Sequence, residues 1–106
     1  MGLITGTLTK QYLIAYQNDL EYKISLIRQA KMELSDSAND LLTVGTDLDP
    51  ENPVVKQLEQ RKQRLNLLEK KLDMQLEEYE TKLKMVQANM QGADAQIDGA
   101  IKSMSR

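Results

Sequence analysis

Asp47, Asp49 and Glu51 alternate along a proline-bounded segment, as the oxygen ligands of a calcium loop do at its start. The pattern goes no further. The sixth position of such a loop holds glycine and the twelfth a bidentate glutamate, whereas here they are Asn52 and Leu58. The three acids read better as turn and cap residues. The rest of the chain is poorer still in reactive groups. It has no histidine, cysteine, tryptophan or phenylalanine. That removes thiol chemistry, disulfides, the usual transition-metal ligands and the commonest general base. No serine or threonine is paired with a base, and no glycine loop suits a phosphate. The expectation is no enzyme, no metal and no cofactor.

Charge narrows the partners. Fourteen basic and sixteen acidic residues give a net charge of -2, with the two signs interleaved, so nucleic acid is not the expected partner. Apolar runs are short, as in Leu13-Ile14-Ala15-Tyr16, and none nears the ~20 residues of a membrane span. No signal peptide is visible. Gly2 invites myristoylation, but Gly6 stands where that motif needs Ser or Thr. Localisation is therefore open: cytoplasmic, or exported without a cleavable signal, an extracellular filament included.

What remains is helical periodicity, which predicts an all-α fold. It is an antiparallel two-helix hairpin, coiled-coil-like, with a longer second helix, in a single domain over residues 1–106. Residues 1–8, rich in Gly and Thr, read as a poorly helical lead-in. Residues 9–43 form a first helix whose seam is Leu13, Leu20, Ile27, Leu34 and Leu41, spaced by sevens, with Tyr16, Ile24, Ala30 and Ala38 filling alternate positions. Its last turns, Ser35 to Asp40, hold side chains that compete for backbone hydrogen bonds. Residues 44–52 form the loop. Gly45 is a plausible C-cap, Pro50 and Pro53 stop the helix running through, and Asn52 before Pro53 is a helix start signal.

Residues 53–104 form the second helix. The side chains expected to pack inside the hairpin are Leu58, Leu65, Leu72, Tyr79 and Leu83; the apolar row runs on through Val86, Met90, Ala93, Ile97, Ile101 and Met104. Steps of four and four through Leu68, Leu72 and Leu76 suggest a stutter. The helix changes character near Val86. Before it the surface is rich in Glu, Lys and Arg, with pairs such as Glu78–Lys82. From Met85 to Ile101 the only charges are Asp94 and Asp98. Small residues recur there at Ala88, Gly92, Ala95 and Gly99, beside the seam. A 35-residue first arm runs out near Ala88, so the remainder overhangs. The expected assembly interface is Ala88, Met90, Gly92, Ala93, Ala95, Ile97, Gly99, Ile101 and Met104, the alternative being a frayed end. The methionines suit core or interface filling.

The turn Pro50-Glu51-Asn52-Pro53 with Val54-Val55, and the tail Asp98-Gly99-Ala100-Ile101-Lys102-Ser103-Met104-Ser105-Arg106, resemble type III secretion needle subunits. Those are small helical hairpins that polymerise into a hollow tube. This chain is longer, chiefly in its second helix, and lacks N-terminal aromatics often seen there. The resemblance implies secretion and polymerisation. The sequence thus points to a self-assembling structural subunit whose main partner is itself. The alternative is a discrete coiled-coil dimer, acting as an adaptor or secretion chaperone for other helical proteins.

Overall fold

The computed structural model describes residues 2–45 and 48–105, with backbone alone at Leu42, Val44 and Gly45. Two helices make up the hairpin: α1 over Gly2–Gly45, 44 residues, and the longer α2 over Pro53–Met104, 52 residues. The described residues include no strand.

The start of α2 works as its residues predict. Asn52 C=O accepts from Val55 N at 2.9 Å, and Asn52 Oδ1 accepts from Val54 N at 3.0 Å. Asn52 is therefore the N-cap of α2, and Pro53, which has no N–H to satisfy, opens the helix. Asp49 Oδ1 accepts from Glu51 N at 3.1 Å, which makes Asp49 a turn-forming side chain. α1 ends at Gly45, and Asp47 lies outside the described residues.

Helix α1 begins at Gly2, so the expected lead-in over residues 1–8 is corrected: from Gly2 onward it is helix. Glycine and threonine form helices poorly on their own. Here tertiary contact outweighs propensity. A Cβ on Gly6 would sit 2.9 Å from Ile97 Cγ1 and 3.4 Å from the Ala93 carbonyl oxygen, so the bare glycine lets the helices approach closely. Within the helix, Thr7 Oγ1 donates to Leu3 O at 2.7 Å.

Side-chain contact falls on heptad positions. On α1 one row of shielded residues steps by four and three, Gly6, Lys10, Leu13, Gln17, Leu20, Ile24, Ile27, Lys31, Leu34, Ala38 and Leu41, with Gly2, Leu3, Tyr16 and Ala30 shielded beside it. On α2 the matching row is Val55, Leu58, Lys62, Leu65, Glu69, Leu72, Leu76, Tyr79, Leu83, Val86, Met90, Ala93, Ile97 and Ala100, with Glu80, Lys82 and Asp94 half-buried beside it. The expected stutter is absent from this row. Glu69 takes the heptad position, and Leu68 faces outward at 47% exposure.

Contacts group the hairpin into two units. The first joins residues 1–24 to 78–106. Its core is Leu13, Leu20 and Val86, with Tyr16, Tyr79, Leu83 and Met90 packed around them. Leu20 is 1% exposed and Val86 2%. Ile24, Ala93 and Gly6 are buried as well. Lys10 reaches across to Asp94 at 2.6 Å. The second unit covers residues 25–77, where Ile27 is the single buried side chain among those described. Leu34, Leu41, Leu58, Leu65 and Leu72 are half-buried, and Lys31 pairs with Asp73. An open groove of about 470 Å³ lies beside Ala30, Glu33, Leu34 and Ser37 of α1 and Leu68, Lys71, Leu72 and Gln75 of α2.

Candidate functional site

The residues expected to form an assembly interface divide into three sets, and all belong to the first unit. Met90, Ala93 and Ile97 face α1. Ala93 is 4% exposed, Met90 packs on the core cluster, and Ile97 lies under Gly6. They hold the hairpin together. The expected overhang is corrected accordingly. Because α1 starts at Gly2, it runs past Ala88 as far as Ala100, whose Cβ is 3.7 Å from where a Cβ on Gly2 would lie.

The second set, Ala88, Gly92, Ala95 and Gly99, is exposed throughout. At about 100° per residue this stripe lies roughly 150° round α2 from Val86, Ala93 and Ile97. It therefore occupies the back of the helix and not the flank of the seam. A Cβ added at Gly92 or Gly99 would meet nothing within 4 Å. Within the chain, neither glycine is required by packing. The third set, Ile101 and Met104, stands at the end of α2 at 49% and 73% exposure.

A further surface escapes the sequence reading. Ile4, Leu8, Tyr12 and Tyr22 are 61–69% exposed, with Ala15 exposed among them. Helical geometry sets this ridge roughly 140° round α1 from Leu13 and Leu20. Its signal in the sequence is the four-residue step Ile4, Leu8, Tyr12. That step is legible only once residues 2–8 are known to be helical. The Tyr12 ring stacks on Tyr16, with centroids 6.3 Å apart and planes 16° from parallel. The stack ties the exposed ridge to the core, since Tyr16 touches the buried cluster.

Charge is sparse on this part of the molecule. Residues 2–18 and 85–101 carry Lys10, Asp94 and Asp98 alone, and the first two neutralise each other. Higher in the same unit, Lys23 and Lys82 flank the Tyr79 ring at 5.8 Å and 5.7 Å from its centroid. Each also bonds a carboxylate one turn away, Lys23 to Asp19 at 2.8 Å and Lys82 to Glu78 at 3.0 Å. Those hydrogen bonds, then the carboxylate charges themselves, raise both ammonium pKa values above 10.5.

Among the described residues the methionines are chiefly surface groups: Met32, Met74, Met85 and Met104 are 61–73% exposed, and Met90 packs on the core cluster. Among the described residues, no three His, Cys, Asp or Glu side chains are placed to share a metal ion. No helix is long and apolar enough to cross a membrane among the described residues. The chain matches no family model, no curated protein and no solved structure.

Proposed function

We propose that this protein is a structural subunit that assembles with copies of itself through the outer faces of its first unit. One observation carries the reading: large apolar side chains stand in water where the chain is poorest in charge. Ile4, Leu8, Tyr12, Met85, Ile101 and Met104 are all about half to three-quarters exposed there. Large apolar side chains exposed in such number in one unit point to an interaction site. The low charge agrees, because interface cores are depleted of charged residues. An exported filament is the form of this reading suggested by the likeness of the turn and tail to secretion needle subunits.

The test is the mass of the purified protein over a concentration series, by sedimentation velocity and negative-stain microscopy. Particles that grow with concentration support the proposal. A single 12.1 kDa species at every concentration would sink it.

The open groove beside Ala30, Leu68 and Leu72 favours a second reading, a discrete coiled-coil adaptor. There a client helix would lay an apolar face against the half-covered leucines. Light scattering that gives one fixed dimer mass, independent of concentration, would favour this alternative.

A further inference from the structure

Among the described ion pairs, two join the helices, one in each unit: Lys10 to Asp94 at 2.6 Å, and Lys31 to Asp73. Both run the same way, with the cation on α1 and the anion on α2. The two lysines are the only charges in the stepped row of shielded residues on α1, and they stand three heptads apart. Asp73 and Asp94 are also three heptads apart, on a row of α2 that flanks its seam. That row reads Glu59, Asn66, Asp73, Glu80, Gln87 and Asp94, an acid or an amide at every heptad and no cation. We propose that this matched spacing is a recognition code: it makes α2 the seam partner of α1, within the chain or from a second copy, and disfavours two α1 or two α2 helices along the same seam.

The argument is one of supply. A partner for α1 must present two acids three heptads apart beside its own seam. The corresponding row of α1 is Ile14, Glu21, Arg28 and Ser35, with a single acid. A second α1 can therefore supply an acid to one lysine but not to both, in any register that keeps the heptads in step. Laid parallel and in register, it sets Lys10 on Lys10 and Lys31 on Lys31. Two α2 helices fare no better. Their flanking acids need cations in the facing shielded row, and the shielded row of α2 holds Lys62 alone. Glu59 and Glu80 repeat the three-heptad spacing nearer the turn. That register would bend the chain at Gly45, whereas the turn lies at Pro50 to Pro53, with Asn52 as the cap. Ion pairs as exposed as these are worth little in stability, so their role is discrimination between partners. The code holds whether or not copies assemble through their outer faces.

Full-length chains with reversed charges test this. Lys10→Glu with Lys31→Glu places acids on both helices. Asp73→Lys with Asp94→Lys places bases on both. Each reversal alone should lower the folding equilibrium constant roughly tenfold in urea titration. All four substitutions together should bring it back to within about threefold of wild type. Molar salt should shrink the losses.

Partner choice is read by mixing. A tagged first variant is refolded from urea with an equal amount of the untagged second, at about 1 mM chain, where exchange between copies competes with hairpin closure. It should retain several-fold more of the second variant than of an untagged first variant, because only the mixture sets acids against bases along both seams. Capture through the outer faces is equal in the two cases and cancels.

Equal capture overturns the code. So do one-helix reversals as stable as wild type, or a fourfold reversal as weak as either of them. If a one-helix reversal abolishes helix by circular dichroism, helix regained in the fourfold reversal supports the code, and helix still missing there overturns it.

Discussion

Gly6, Gly92 and Gly99 are helical residues with opposite duties. Gly6 sits where a Cβ would press on Ile97, a β-branched side chain with little freedom to move away. Gly6→Val should therefore force the helices apart and cost about 1–3 kcal/mol. Gly92→Ala and Gly99→Ala meet open space and should each stabilise the isolated chain by about 0.5–1 kcal/mol. Urea unfolding at low protein concentration checks both signs. An equal loss at Gly6, Gly92 and Gly99 would contradict the packing described. Leucines differ in the same way. Leu20→Ala removes a side chain that is 1% exposed and should cost about 2–5 kcal/mol, whereas the 60% exposed Leu67 should change stability by less than about 0.5 kcal/mol on the same substitution. The lysines beside Tyr79 add a pH signature. Their folded pKa values lie above 10.5, so their pairs with Asp19 and Glu78 contribute fully below pH 10.5. That contribution fades as pH rises through the raised values. Comparing Lys23→Gln/Lys82→Gln with wild type at about pH 9 and about pH 12 should show a small difference in urea midpoint at the lower pH and a smaller one at the higher. Both groups are exposed, so molar salt should shrink the difference at the lower pH.

At the scale of the helices, the seam was readable because it repeats. Leu13, Leu20, Ile27, Leu34 and Leu41 announce a helix that packs along its length, and all that have described side chains are buried or half-buried. The alternate row was harder to see. Tyr16 and Ala30 are half-buried as expected, and Gln17 and Lys31 beside them are half-buried as well. Lys10 and Lys31 serve there because long stems cover the seam while the ammonium groups reach Asp94 and Asp73 on α2. These half-exposed pairs add little stability, and polar groups at such positions chiefly define register. The start of α2 was legible, since capping is local chemistry. Asn52→Ala should remove the bond from Val54 N and cost about 0.5–2 kcal/mol, measurable as a fall in thermal midpoint. An unchanged midpoint would show that Pro53 alone starts α2.

The whole chain is unevenly consolidated. Buried side chains gather in the unit of residues 1–24 and 78–106, whereas the unit of residues 25–77 has Ile27 alone among its described residues. Local stability follows burial, so amide exchange should be slow over residues 13–24 and 79–93 and faster over residues 34–41 and 55–68. Uniform protection would count against the division. The same unevenness bears on function, because the best-packed unit also carries the exposed ridge and the strip of small residues. A rigid platform loses less entropy when it docks than a loose one does.

The sequence alone determined the class: two helices, their seam, the proline turn with its Asn52 cap, and a low-charge stretch after Val86. All of these arise from local propensity, capping and a heptad period, which each helix carries within itself. The tertiary structure decided where α1 begins and hence what α2 exposes. Residues 2–8 are weak helix formers by composition and become helical because Gly6 lets them pack against Ala93 and Ile97. Nothing in residues 1–8 read alone contains that contact. Once it is made, Met90, Ala93 and Ile97 turn inward, Ala88, Gly92, Ala95 and Gly99 turn outward, and the ridge from Ile4 to Tyr22 comes into being. Which face is core and which is surface depends on the partner helix, and that is information only the folded pair holds.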